Sequence, residues 1–225
     1  MNPFPEFEDD YFYAEGNPYL IPEIVRNYEF GYNYTKNGLT LSSNFYYRTT
    51  TDKLDQKLTI GSDKKIHTIF HNDSNDKSLG VELMGNFKVT NWWSLNANTN
   101  IFHYDVSANI DGTMVNNKNL SWSSQLVNSI DLGKETSLQV IGYYASKTAR
   151  SQGDLSSFYF VDLALKQQFL DGKLSVNLQL KDVFQSRNYI LKTNTANMDL
   201  SGYFNNESPI FFLNVSYNFS QFKKK

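Results

Sequence analysis

The sequence predicts an all-β fold, an antiparallel up-and-down transmembrane β-barrel sheet of about nine long strands. Three observations predict it. Apolar residues recur at every second position in run after run. The runs reach roughly 10–14 residues, where strands of water-soluble domains average about 5–6 and a tilted membrane strand needs about 9–11. Tight turns alternate with longer connections along the whole chain.

The runs follow in order. Tyr28, Phe30, Tyr32 and Tyr34 alternate with Glu29, Gly31, Asn33 and Thr35. Lys36-Asn37-Gly38 is a two-residue hairpin signal. Leu39, Leu41, Phe45 and Tyr47 then oppose Thr40, Ser42, Asn44 and Arg48. Leu79, Val81, Leu83, Phe87 and Val89 alternate with Ser78, Glu82, Asn86 and Lys88, and Trp93, Leu95, Ala97 and Ile101 with Ser94, Asn96, Asn98 and Asn100. Leu120, Trp122, Leu126, Ile130 and Leu132 form the next face, followed by Leu138, Val140 and Tyr144, and by Tyr159, Val161, Leu163, Leu165 and Phe169. Leu174, Val176, Leu178 and Leu180 alternate with Ser175, Asn177, Gln179 and Lys181, and Phe211, Leu213, Val215, Tyr217 and Phe219 close the series. Because side chains alternate across a sheet, each such set shares one face.

Short turns fall near Asn37-Gly38, Thr90-Asn91, Gly133-Lys134 and Asp171-Gly172, and long links are expected over 52–77, 108–117, 150–156 and 185–206. This strict alternation is the pattern of a membrane barrel with tight turns at one end and long loops at the other. An odd strand count makes the first and last strands parallel, whereas single-chain bacterial barrels close with an even number. The chain alone is therefore expected to form an open or incompletely closed sheet.

Composition agrees. Aromatics reach 16%, with 17 Phe and 15 Tyr but only 3 Trp, as suits strands that need amphipathic rings at a lipid–water boundary. The mean hydropathy of −0.50 hides this, because only alternate residues would face lipid. No stretch approaches the roughly 18 apolar residues of a membrane helix. The net charge of −2 gives no electrostatic footprint for a nucleic-acid partner. Cysteine is absent, in keeping with an oxidising envelope. Met1-Asn2-Pro3-Phe4-Pro5-Glu6 has neither the basic region nor the apolar core of a signal peptide, so an export signal is expected upstream.

Three stretches go beyond architecture. Gly16-Asn17-Pro18-Tyr19-Leu20-Ile21-Pro22-Glu23, followed by Asn27-Tyr28-Glu29-Phe30-Gly31-Tyr32, resembles a segment of TonB-dependent receptor barrels. Leu180-Lys181-Asp182-Val183-Phe184 with Arg187-Asn188-Tyr189 resembles the segment before their last strand, and residues 211–219 resemble their aromatic-ended terminal strand. The resemblance covers residues 2–219 and implies the C-terminal part of an outer-membrane barrel. On that reading residues 1–23 are an outer loop segment entering the barrel, 24–219 the transmembrane portion and 220–225 a basic tail. The tail departs from the family, whose terminal aromatic stands near the chain end. The resemblance also implies partners: outer-membrane lipid, an N-terminal plug and further barrel strands outside this chain, a TonB-type energising protein reached through that missing region, and the barrel assembly machinery, for which Val215, Tyr217 and Phe219 would be the signal. Pro18 and Pro22 would stiffen the entering loop, Asp182 would mark where a strand leaves the lipid, and Phe184 and Tyr189 would suit the interface.

No catalytic chemistry is legible, and no cofactor is expected. There is no nucleophile elbow, phosphate-binding glycine loop or triad spacing. His67 and His71 lie four apart in a loop or strand region without the three or four groups a metal needs, and His103 reads as a lumen or interface residue. Residues 72–76, Asn-Asp-Ser-Asn-Asp, lack the glycine and distal glutamate of a calcium loop and read as a hydrated outer loop. Glu6, Glu8, Asp9, Asp10 and Glu15 read as solvated. Phe4, Phe7, Tyr11, Phe12, Tyr13 and Tyr19 either stack on a sugar or other ligand or pack into the rim or the lumen. Three functional readings stand: a barrel portion of a receptor importing an unidentified substrate, a membrane barrel with a structural or adhesin role, and a soluble all-β ligand-binding module.

Overall fold

The structure is a computed structural model, and it describes residues 7–8, 10–110, 112–195 and 198–219, without the side chains of the first two. Its frame is nine long antiparallel strands in sequence order: β3 (Ile24–Lys36), β4 (Leu39–Ile60), β5 (Ile66–Lys88), β6 (Trp93–Ile110), β7 (Thr113–Asp131), β8 (Thr136–Ala145), β11 (Phe158–Phe169), β12 (Leu174–Lys181) and β15 (Ile210–Tyr217). Two short strands, β1 (Phe7–Glu8) and β2 (Phe12–Glu15), form a hairpin whose second strand runs parallel to the start of β5. A separate four-stranded sheet contains β9 (Thr148–Arg150), β10 (Gly153–Leu155), β13 (Asn188–Thr195) and β14 (Met198–Asn205).

The register carries the alternating pattern across the whole sheet. Directly paired residues lie on the same face. One row reads Tyr34, Leu41, Gly85, Ala97, Leu126, Gly142 and Val161, and another Leu39, Phe87, Leu95, Asn128, Val140, Leu163, Leu180 and Phe211. A third runs from Trp93 through Ile130, Leu138, Leu165 and Leu178 to Leu213. The expected facing holds: Leu79, Val81, Leu83 and Phe87 share this face, while Glu82, Asn86 and Lys88 take the other. Val89 and Leu132 lie one residue beyond their strands.

This continuous apolar face has no cover. Leu79 is 62% exposed, Leu120 68% and Phe211 62%. Leaving each such side chain in water forgoes about 1.5–3 kcal/mol, so the face suits hydrocarbon. Aromatic rings mark its edges. Trp122 packs on Tyr144 at 4.5 Å near one rim, and Trp92 stacks with Trp93 at 6.3 Å near the other. Leu174, Val176, Leu178 and Leu180, on a strand paired on both sides, are half-exposed rather than bare.

The four short turns fall where expected. Asn37 and Gly38 both adopt positive φ, 50° and 79°, as a two-residue hairpin turn requires. The opposite end differs from expectation. Residues 52–77 and 108–117 are not loops: β4–β5 and β6–β7 continue as paired hairpins, so β4 and β5 reach 22 and 23 residues. Residues 150–156 and 185–206 are also largely strand, forming the second sheet. The extended end carries polar side chains on both faces, so its sequence shows no clean apolar alternation. Strand pairing continues through it all the same. At the other extreme β12 and β15 have 8 residues each, shorter than expected.

Closure does not occur. Among the described residues, β3 pairs only with β4 and β15 only with β12. The nine-strand parity explains this, since β3 and β15 run in the same direction. The structure thus bears out an open sheet. If the apolar face meets lipid, Leu178→Arg places a charge mid-strand on it and should destabilise the lipid-folded protein by about 2–4 kcal/mol. Urea titration in lipid vesicles measures this, and an unchanged midpoint would contradict the assignment.

Candidate functional site

Among the described residues the polar face is covered at the extended end, and this is where the chain builds a site. The β9–β10–β13–β14 sheet lies over the inner face there and buries Val106, Ala108, Ser74 and Asp76. Its attachment to β7 is dense. Asn117 donates to the carbonyls of Arg150 and Gly153 and to Asp154, Asn119 and Ser121 donate to the Lys147 carbonyl, and the Trp122 amide donates to Ser146 Oγ. Gly153, with φ of 144°, permits the close β10–β13 approach, since a β-carbon there would run into the Lys192 carbonyl.

On the far side the cap reaches β4 through Gln152. Its amide accepts from the Leu58 backbone N–H at 2.8 Å and donates to the Leu58 carbonyl at 2.9 Å. It therefore does for Leu58 what a neighbouring strand would. The edge of β4 beyond β3 is managed this way throughout. The Leu54 amide donates to Glu23 and the Gln56 amide to Asp55. An exposed strand edge is a template for unwanted pairing, and side chains here occupy it.

Two bulges aim the inner side chains. Between Thr50 and Lys53 one extra residue, with Asp52 at φ 52°, slips β4 against β5, and the register shifts again before Asp55. A one-residue slip reverses facing, so Lys53 turns inward. Its ammonium meets Asp76 at 2.8 Å and donates to Tyr104 at 2.6 Å, and Tyr104 donates to Asp76 at 2.7 Å. Burial pushes the Tyr104 phenol up to about 12. Burial opposes charge on Lys53 and Asp76 too, but their hydrogen bonds to each other and to Tyr104 prevail, raising the lysine and lowering the carboxyl. Nearby His71 is buried, and that burial lowers its pKa.

Between the cap and β4 lies a cleft of about 300 Å³. One wall is a face of the cap, with Leu155, Leu191, Tyr189 and Phe204; the other is β4, with Asp55, Gln56 and Leu58. Tyr189 and Phe204 are directly paired across β13–β14 and stack at 4.9 Å with planes 13° apart.

The sequence-derived candidates divide. Residues 72–76 are strand, not hydrated loop, with Ser74 and Asp76 buried. His67 and His71 both sit in β5. His67 contacts Asp63 at 3.1 Å and Tyr13 at 4.9 Å, and His103 lies exposed on the apolar face beside Leu79 and Leu120. Tyr11 and Tyr19 are exposed; Phe4, Glu6 and Asp9 lie outside the described residues, as do the side chains of Phe7 and Glu8. Residues 16–23 strap across the β4–β5 hairpin. Asn17 donates to the Phe70 carbonyl, and Asn72 accepts from the Ile21 amide while donating to the Ile21 and Asp52 carbonyls. Asp182 is buried; it accepts from the Ser186 and Arg187 amides and shapes the turn after β12. Arg187 lies over the Phe160 ring at 3.6 Å. Tyr189 is in the cleft, not at the interface. Val215 and Tyr217 lie on the apolar face of the edge strand β15, Tyr217 meets Phe219 edge-on at 4.8 Å, and residues 220–225 are outside the described residues. The cleft wall from β13–β14 escaped sequence reasoning; the alternation of Tyr189, Leu191 and Thr193 was the available signal.

A sequence model of the outer membrane protein beta-barrel family matches residues 1–217. The chain belongs to that family. This barrel resides in the outer membrane, and the barrel rule of short periplasmic turns makes the extended, capped end extracellular. Among solved structures it is similar to the ferric yersiniabactin uptake receptor FyuA from Yersinia pestis, with a TM-score of 0.56 and 16% identity over 80% of this chain. The chain spans 28% of that receptor's length. No curated protein matches.

Asp76→Asn leaves the Lys53 ammonium without its buried partner, which typically costs about 3–5 kcal/mol. The extracellular hairpins of the variant should be cut sooner in limited proteolysis. The wild-type carboxyl has a lowered pKa, so its stabilisation is full above the ordinary carboxylate range and disappears as pH falls through the lowered value. Protection that is flat from neutral pH down to about pH 2 would contradict this, given the ordinary carboxylate value near 4.

Proposed function

We propose that the chain is part of the barrel of a TonB-dependent outer-membrane receptor that takes up a substrate. The observation that carries this reading is the capped extracellular end, where the loop sheet bridges from β7 to β4 over the polar face and leaves a cleft open beside it. A barrel with only a structural role has no need of such a bridge. The fold shared with an uptake receptor and the motifs at 16–32 and 180–189 support the reading. In this scheme the strands satisfy backbone hydrogen bonds in lipid, and the extracellular sheet presents binding groups. A plug, further strands and the TonB-type energising protein belong to the rest of the receptor. On this reading no residue of this chain needs to carry catalysis.

We further propose that Val215, Tyr217 and Phe219 are read by the barrel assembly machinery. Their support is position: Val215 and Tyr217 stand on the apolar face of a strand that, among the described residues, pairs on one side only, and Phe219 just past it meets Tyr217 edge-on.

The test is growth of cells lacking the gene on media limited in turn for carbon, iron and vitamins. A defect on one nutrient, reproduced by removing the TonB-type protein, is the expected result. Unimpaired growth on all of them, with loss of surface attachment instead, would contradict uptake and favour the adhesin reading.

A further inference from the structure

We propose that the cleft between the extracellular cap and β4 is a binding site for a neutral saccharide. This deepens the receptor reading by naming a ligand class, and rests on it only in taking the cleft as open to the outside.

The size fits a small ligand: about 300 Å³ lies at the lower end of ligand pockets. Its chemistry is divided between two walls. On the cap, Tyr189, Leu191 and Leu155 form a smooth apolar surface completed by Phe204. Phe204 turns one ring face to Tyr189 and remains 44% exposed. Its ring can lie flat because its neighbour on that face is Gly202, where a β-carbon would stand 3.2 Å from the ring. A flat, partly exposed aromatic platform matches the C–H face of a pyranose ring.

The rest of the lining is polar. Asp55 and Gln56 on β4 and Arg150 on β9 of the cap carry carboxylate, amide and guanidinium groups, each of which forms paired hydrogen bonds suited to adjacent hydroxyls. One acid and one base leave the lining without net charge, which disfavours anionic and cationic ligands alike. Gln152 is already committed to Leu58, which leaves recognition to the other three, Asp55 through the oxygen that does not accept from the Gln56 amide. Thr193 and Ser151, both buried, close the floor.

The test uses the full chain folded in lipid nanodiscs, probed first on an array of neutral and acidic glycans and then with individual hits by saturation-transfer NMR and calorimetry. Binding of neutral glycans is expected, with the strongest transfer at ring C–H protons. Phe204→Ala should weaken it about tenfold. If that variant loses its heat-modifiable migration, and so its fold, Asp55→Asn on the opposite wall takes its place with a similar expected loss. No bound neutral glycan, preference for acidic glycans, or binding indifferent to both variants would overturn the proposal. The receptor reading fails separately: saccharide binding without uptake by cells sinks uptake and leaves the site standing, and uptake indifferent to cleft variants does the reverse.

Discussion

A backbone amide inside hydrocarbon has no water to bond, so each one must find a partner within the sheet. That requirement organises this protein. It favours long paired strands and places their apolar alternate residues on one continuous face. It also makes the two outermost strands, β3 and β15, the unfinished part of the sheet, since each pairs on one side only. With nine strands the two edges run parallel, and antiparallel closure needs an odd number of further strands between them.

Outside the lipid the same backbone groups meet water, and the constraint relaxes. There the chain leaves regular alternation. Two bulges redirect β4 and β5 so that Lys53 joins Asp76 and Tyr104 on the inner face beneath the extracellular cap. The free edge of β4 is covered by Glu23, Asp55 and Gln152 rather than by a strand. The cap needs few apolar side chains because hydrogen bonds to Asn117, Asn119 and Gln152 hold its position. A polar attachment of this kind leaves room for a wettable cleft.

The division between lipid and water also decided what was legible in the sequence. Every membrane strand was readable, from Tyr28 to Tyr217, because lipid on one face and polar groups on the other impose a period of two. The turns were readable because Asn37-Gly38 and Asp171-Gly172 supply positive φ. The extracellular hairpins read as loops because residues 49–60 and 66–77 carry polar groups on both sides and contain the register slips. Tyr189 read as an interface aromatic because its sequence does not show that β13 leaves the main sheet. The motif residues Asn17, Glu23 and Asp182 were noticed by resemblance, but their work, bonding backbone groups of distant strands, emerges only from the fold.

The central claim is that one face of the sheet meets lipid and the other does not. Spin labels placed singly from Ser175 to Leu180 in lipid-folded protein test it most directly, by comparing collisions with oxygen, which concentrates in hydrocarbon, and with a water-soluble nickel complex. The account predicts that accessibility to oxygen rises at Val176, Leu178 and Leu180 and falls at Ser175, Asn177 and Gln179, with nickel showing the opposite phase. Equal accessibility along the strand, or the reverse phase, would contradict it.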